Sequence, residues 1–400
     1  MADGGTHGTS DLATVTVLEV AATPAGAFAA GLFADFGGRV IVCEPPGGSP
    51  LRRLGSADVR AVWWPIIARN KLSLAIDVDR PEAAPIVARL LELAQVLVRD
   101  GGSSAAWPSA ASARARPPLD LSLHAPGADR PADWPWGTAP QLAAAATGMV
   151  ALTGQADGPP MQPEFPLAEY SAGLLAAAGA LFELRAAGMG GRHPAPLAVG
   201  MHEALLRMNE WQLAVASITG QAEPRNGNRF PMNSNIGNVF QTRDGKLLTV
   251  SAATPSVADR LLTMIGGPTL REDPRFRTTA DRQRNMDALD VVVAEWMGRH
   301  DAAEAMRLVR ENDVVVGPLY EAGDLGQDPH LAAREDIVRV DDGFGNRLPQ
   351  PAVLPKISGM AAKVRRAGPA IGADSDRILA EAGFSVDEIA AFRRNGAIWT

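Results

Sequence analysis

Glu169 is a lone carboxylate at the head of an apolar run, "LAEYSAGLLAAAGALFELRAAG" (167–188), followed four residues on by Gly173. A carboxylate in the first turn of a helix sits at the positive end of the dipole. There it is favoured in its ionised form by about 0.3–1 kcal/mol, beside backbone N–H groups that can meet a developing oxyanion. Such a group can serve as a covalent nucleophile. The plainer role is an acid favoured at a helix start. The histidines show no His-x-x-x-His or comparable spacing, so no metal site is expected. Trp63, Trp64, Trp134 and Trp136 fall in two pairs suited to packing or to lining a pocket.

The elements that must position Glu169 read as an α/β pattern. "VTVLEVA" (15–21) and "RVIVCEPPGG" (39–48) are strand-like runs around the helical "AGAFAAGLFADFGG" (25–38), which makes a βαβ unit and a parallel sheet. "ATPAG" follows the first strand where a dinucleotide fold would carry Gly-x-Gly-x-x-Gly, so a nicotinamide enzyme is not expected. "LSLAIDV" (72–78), "PEAAPIVARLLELA" (81–94) and "QVLVRD" (95–100) continue strand, helix, strand, and residues 101–118 read as a loop. A single helix is expected over about 199–217. The Gly-, Asn- and Pro-rich stretch 220–238 reads as a linker or active-site loop, and "VFQTRDGKLLTVSAA" (239–253) as a hairpin turning at Asp244-Gly245. Residues 341–358 are turn-rich, and 374–398 form a closing helical pair.

Composition bounds the function. The chain has 400 residues, 46% hydrophobic and 21% charged, which is ordinary globular usage with room for two or three domains. A net charge of −7 without a basic block argues against a nucleic-acid partner, and the single cysteine, Cys43, excludes an intramolecular disulfide framework. The start has no signal-peptide pattern, and the Ala-rich stretch 142–154 is broken by Thr147, Gly148, Thr153 and Gly154. A cytoplasmic location without membrane contact is the expectation.

In order along residues 14–398, the landmarks resemble the family III CoA-transferases of the CaiB/BaiF superfamily. They are the strand–loop–helix opening, Asn70-Lys71-x-Ser73, "VFQTRDG", the Asp328–Arg334 stretch, the turn with Pro355, Lys356 and Ser358, the 369–372 segment and the closing "SVDEIAAFRRNGAI". The resemblance implies a Rossmann-like large domain built from both chain ends and a smaller α+β domain. The expected division is a flexible 1–14, a coenzyme-binding part over 15–219, a small domain with linkers over 220–325 and a return over 326–400. It also implies an interlocked homodimer and a CoA thioester as substrate, with no metal cofactor.

The family nucleophile is an Asp in Gly-Asp-x-x-x-Gly; here "LAEYSAG" places Glu169 at that position. The implied activity moves CoA from an acyl-CoA to a carboxylic acid through a glutamyl anhydride and a glutamyl-CoA thioester. Lys71, Asn70, Arg52 and Arg99 are the residues expected to meet the coenzyme, with Arg53 and Arg69 as further cations suited to phosphate. Two segments depart from the family pattern: "RDGGSS" (99–104) stands for Glu-Asn-Phe-x-Pro-Gly, and "AGMGGRHPAP" (187–196) for Thr-Gly-x-Gly-Gln. They leave two alternatives open: a non-catalytic partner subunit of a heteromeric transferase, or a CoA-dependent isomerase or lyase. The His of the racemase subgroup has no counterpart in 136–148, and His124 lies outside that motif.

Overall fold

A computed structural model describes residues 11–55, 60–101, 107–108, 117–127, 139–229, 235–343 and 345–399. Trp134, Trp136 and most of the 101–118 loop lie outside the described residues. The chain divides into two compact units, one comprising 1–150, 162–220 and 332–400, the other 151–161 and 221–331.

The first unit is built on a seven-stranded sheet. Its N-terminal elements are β1 (Thr16–Glu19), α1 (Pro24–Asp35), β2 (Arg39–Glu44), α2 (Arg60–Ile67), β3 (Leu72–Ile76), α3 (Ala84–Leu93), β4 (Val96–Asp100) and β5 (Leu119–His124). Then come α4 (Pro140–Ala146), a short α5 (Met149–Leu152), α6 (Leu167–Gly190), β6 (Leu197–Gly200), α7 (Met201–Met208) and α8 (Glu210–Thr219). The inserted unit holds β7 (Ile236–Gln241), β8 (Leu247–Ala252), α9 (Pro255–Arg271), α10 (Thr279–Arg284), α11 (Met286–Met297), α12 (Ala302–Glu311), β9 (Val315–Pro318) and α13 (Ala322–Leu325). After α14 (Pro329–Ala333), the return supplies β10 (Ile337–Asp341), β11 (Arg347–Pro351), α15 (Ser375–Glu381), α16 (Val386–Arg394) and β12 (Ile398–Trp399).

The strand order is β12-β3-β2-β1-β4-β5-β6, parallel except for the terminal β12, which pairs antiparallel with β3. Both faces are buried, as a parallel sheet requires. Val17, Val96, Val98, Leu119, Leu121 and Leu123 face α1 and α6, while Leu18, Ile41, Leu74 and Leu97 face α3, α15 and α16. Chain order runs outward from β1 to β3, then crosses to β4 beside β1. That crossing creates a switch point between β1 and β4, where α/β sheets open a crevice at their carboxyl edge.

In the inserted unit β7, β8 and β9 form an antiparallel sheet over a core that includes Phe240, Leu248, Leu261, Phe276 and Val293. The hairpin turns at Asp244, which accepts from the Thr242 hydroxyl at 2.6 Å and the Ala302 N–H at 3.0 Å. Residues 151–161 join this unit because Arg225 donates to the carbonyls of Ala151, Gln155 and Gly158.

Two local expectations change. The helix expected over 199–217 is β6 followed by α7 and α8, broken at Asn209, whose Nδ2 reaches back to the Thr147 carbonyl at 3.1 Å. The turn-rich 341–358 contains the second strand of a β10–β11 hairpin, since Asp342 accepts from Asn346 and tightens the turn. The Ala-rich 142–154 contains α4 and α5. Among the described residues, the helix long and apolar enough to cross a membrane is α6. Its small-residue face (Ala172, Gly173, Ala176, Ala177, Ala180) belongs to the sheet core.

Candidate active site

The position of Glu169 follows from how α6 meets α1. A Cβ on Gly173 would stand 2.6 Å from the Ala25 carbonyl and 3.3 Å from the Ala29 amide, so only glycine lets the helices approach this closely. Tyr170 locks the first turn, with its ring centroid 4.6 Å from that of Phe28. Like α1, α6 runs back toward the amino edge of the sheet before the next parallel strand, so both N-termini stand at the carboxyl edge. Glu169 lies one turn, about 6 Å, before Gly173.

Glu169 is 8% exposed and fronts a cavity of about 130 Å³. The walls include Gln141, Ala144, Gln162, Phe165 and Pro166. Among the described residues it has no ion-pair partner. Burial raises its carboxyl above the ordinary range, opposed by its own backbone N–H. The N-cap residue, Pro166, offers no side-chain acceptor, so the first-turn N–H groups are not capped by it.

A second, larger cavity of about 410 Å³ opens at the carboxyl ends of β1, β2 and β3. It is lined by Val20, Ala21 and Ala22, by Cys43, Pro45, Pro46, Ser49 and Pro50, and by residues 76–79. Its β1 wall is set by Asp100, the last residue of β4. That carboxylate accepts from the Ala22 N–H, the Thr23 N–H at 2.7 Å and the Thr23 hydroxyl at 2.6 Å. The chain's own anion thus occupies the helix N-terminus where a dinucleotide fold would hold a phosphate. This is the physical counterpart of the missing glycine fingerprint. Burial pushes the Cys43 thiol up, which leaves it a neutral wall residue.

Most of the other singled-out residues are engaged inside the chain, whereas Arg53 is exposed. Lys71 is fully buried, ion-paired with Glu19 at 2.7 Å and donating to the Ala27 carbonyl at 2.7 Å. Asn70, at φ +62°, donates to Asp35 at 2.9 Å and accepts from the Arg365 N–H at 2.7 Å. Arg52 forks onto Glu44 at 2.6 and 2.7 Å, and Arg99 forks onto Asp120 across β4 and β5 at 2.9 and 2.8 Å. Arg69 holds Asp35 and donates to the Pro351 carbonyl at 2.6 Å. His124 sits at the end of β5, with burial lowering its pKa. Trp63 and Trp64 pack beside Leu51 and Ile67. Of this set, only Glu169 fronts the small cavity. Among the described residues no group of three or more His, Cys, Asp or Glu is placed to hold a metal ion.

Reasoning from sequence did not single out Glu44 and Asp100. The available signal was that apolar parallel strands end on an acid: "VLE", "VCE" and "VRD".

Comparison with known proteins agrees with this architecture. The chain is 30% identical to the succinyl-CoA–D-citramalate CoA-transferase of Chloroflexus aurantiacus, over 96% of this chain and 97% of that one. It is 28% identical to the β subunit of the succinyl-CoA–L-malate CoA-transferase of the same organism, covering 94% and 95%. It is 24% identical to a formyl-CoA:oxalate CoA-transferase of Bradyrhizobium diazoefficiens, covering 98% of each. Among solved structures, a CaiB/BaiF family protein from Brucella suis superposes with a TM-score of 0.81 at 20% identity, covering 94% of this chain and 100% of that one. The sequence profile of CoA-transferase family III matches residues 12–375, and with that match the fold and the relatives converge: the chain belongs to CoA-transferase family III.

Proposed function

We propose that this chain transfers CoA from an acyl-CoA thioester to a carboxylic acid with Glu169 as the nucleophile. The observation that carries this reading is a buried carboxylate with no ion-pair partner among the described residues, at a helix N-terminus and fronting a cavity. In the first step a Glu169 oxygen attacks the thioester carbonyl, and the carbon–sulfur bond breaks to give a mixed anhydride and CoA thiolate. The thiolate then attacks the glutamyl carbonyl, releasing the first acid and leaving a glutamyl-CoA thioester. The incoming carboxylate displaces CoA thiolate to form a second anhydride. Attack of thiolate on its acyl carbon yields the new acyl-CoA and restores the Glu169 carboxylate. A backbone N–H at the head of α6 would help to meet each oxyanion.

Glu carries its carboxyl about 1.5 Å farther from the backbone than Asp would. The coenzyme would lie in the crevice at the carboxyl edge of the sheet, where such folds place nucleotides. Lys71, Asn70 and Arg99 do not line that crevice, and their polar groups are spent on Glu19, Asp35 and Asp120. The relatives named for succinyl, malyl, citramalyl and oxalyl exchange support small organic acids as substrates here.

A second copy of this chain would cover the outer face of α6, where Leu174, Leu175, Leu181 and Phe182 (74%) are exposed, and α8, where Leu213 and Ile218 (86%) are exposed. This supports the interlocked homodimer and also fits a heteromer with a homologous subunit. Incorporation of labelled succinate into succinyl-CoA by the purified single chain tests the reading. Exchange lost in Glu169→Ala upholds it, and full exchange in that variant contradicts it.

A further inference from the structure

We propose that Arg52 is a positioning residue for the coenzyme crevice, acting through the loop 45–50 that forms one of its walls; this rests on the crevice being the coenzyme site. The loop begins at Glu44, the fully buried last residue of β2. A buried carboxylate persists in a fold when its lone pairs are met. Glu44 accepts from the Ser49 N–H at 2.8 Å, the Ser73 hydroxyl at 2.6 Å and the Arg52 fork at 2.6 and 2.7 Å. Between these anchors stand Pro45, Pro46 and Pro50, which have no N–H to donate, so the segment has few backbone bonds to hold its own shape. Pro45, Pro46, Ser49 and Pro50 are the crevice wall.

Arg52 fastens that wall to two distant parts of the first unit. Its Nη2 donates to the Pro369 carbonyl at 2.9 Å, in the segment returning from the C-terminal end. Its guanidinium lies 3.8 Å from the centroid of the Trp64 ring on α2, and the Trp64 Nε1–H donates to the same Pro369 carbonyl at 2.7 Å. Gly48 rests directly on the Arg52 side chain: at φ +86°, a Cβ there would stand 2.8 Å from Arg52 Cδ. Arg52 itself lines another cavity, of about 490 Å³, with Trp64, Pro65 and Arg366. It therefore reaches the coenzyme only through the loop. Lysine, a point donor on a flexible stem, cannot reproduce the fork, the stack and the carbonyl bond together.

The test measures CoA affinity by titration calorimetry and KM for succinyl-CoA on the full-length wild type, Arg52→Lys, Arg52→Gln and the Glu44→Gln/Arg52→Gln double variant. The double variant removes both charges, so it folds without a stranded carboxylate if Arg52→Gln alone does not. Expected are a rise in CoA Kd and in KM of roughly tenfold or more for the glutamine variants, a smaller rise for Arg52→Lys, and kcat within about threefold of wild type. Unchanged Kd and KM in a folded double variant would overturn the proposal, even with a lowered melting temperature. A wild-type chain that binds no CoA would instead remove the reading on which it rests.

Discussion

Two buried carboxylates, Glu19 on β1 and Glu169 on α6, differ in what surrounds them as well as in depth, Glu19 being fully enclosed. Burial pushes Glu19 up to about 7, opposed by Lys71 2.7 Å away, and burial also raises Glu169. Glu19 is fully enclosed beside its cation, whereas Glu169 faces a cavity and has no counter-charge among the described residues. A buried carboxylate beside its cation is tolerated in a core, and removing the cation strands it. One without a counter-charge beside a cavity is available to a ligand, and desolvation of its charged form is a cost to stability.

Exchanging the two roles by mutation should break the comparison in opposite ways. Glu169→Ala should lower CoA-exchange turnover by on the order of 10⁴-fold or more, with the circular dichroism spectrum unchanged. Lys71→Met should leave turnover per folded molecule near wild type but destabilise the chain by about 3–5 kcal/mol, read from the urea midpoint, because it strands Glu19. Adding Glu19→Gln should recover much of that loss.

Smaller changes sharpen the contrast. Glu169→Asp withdraws the carboxylate by about 1.5 Å and should cost roughly a hundredfold in kcat/KM, measured at saturating acid. Because the raised pKa of Glu169 opposes ionisation, kcat/KM in the wild type should fall as pH drops through it, with the acid limb lying above the ordinary value of 4.5. The same shift sets the smallest effect. A carboxyl raised in the fold is less stabilising once pH passes its unfolded value. Glu169→Gln should therefore melt about 1–2 °C higher than wild type at pH 8 and at the same temperature near pH 4.

Much of this contrast is legible in the sequence. The βαβ opening, the hairpin at Asp244-Gly245 and the closing helices follow from local pattern, and the motif order pointed to Glu169 through "LAEYSAG". Gly173 could be read as part of that motif, but its reason, the 2.6 Å approach to Ala25, is a contact between residues about 150 positions apart. The partners of Lys71, Asn70, Arg52 and Arg99 were hidden for the same reason. An isolated basic residue looks identical in sequence whether it awaits a phosphate or meets Glu19, Asp35, Glu44 or Asp120 across the sheet. The break at Asn209 depends on Thr147, and β12 on its register with β3, neither of which leaves a local trace.

The most direct measurement is mass spectrometry of the peptide containing Glu169, after the full-length chain is incubated with succinyl-CoA and quenched with hydroxylamine or borohydride. A modified side chain at position 169, absent from Glu169→Ala, is the predicted result. An unmodified Glu169 in a preparation that exchanges CoA at full rate would contradict the account.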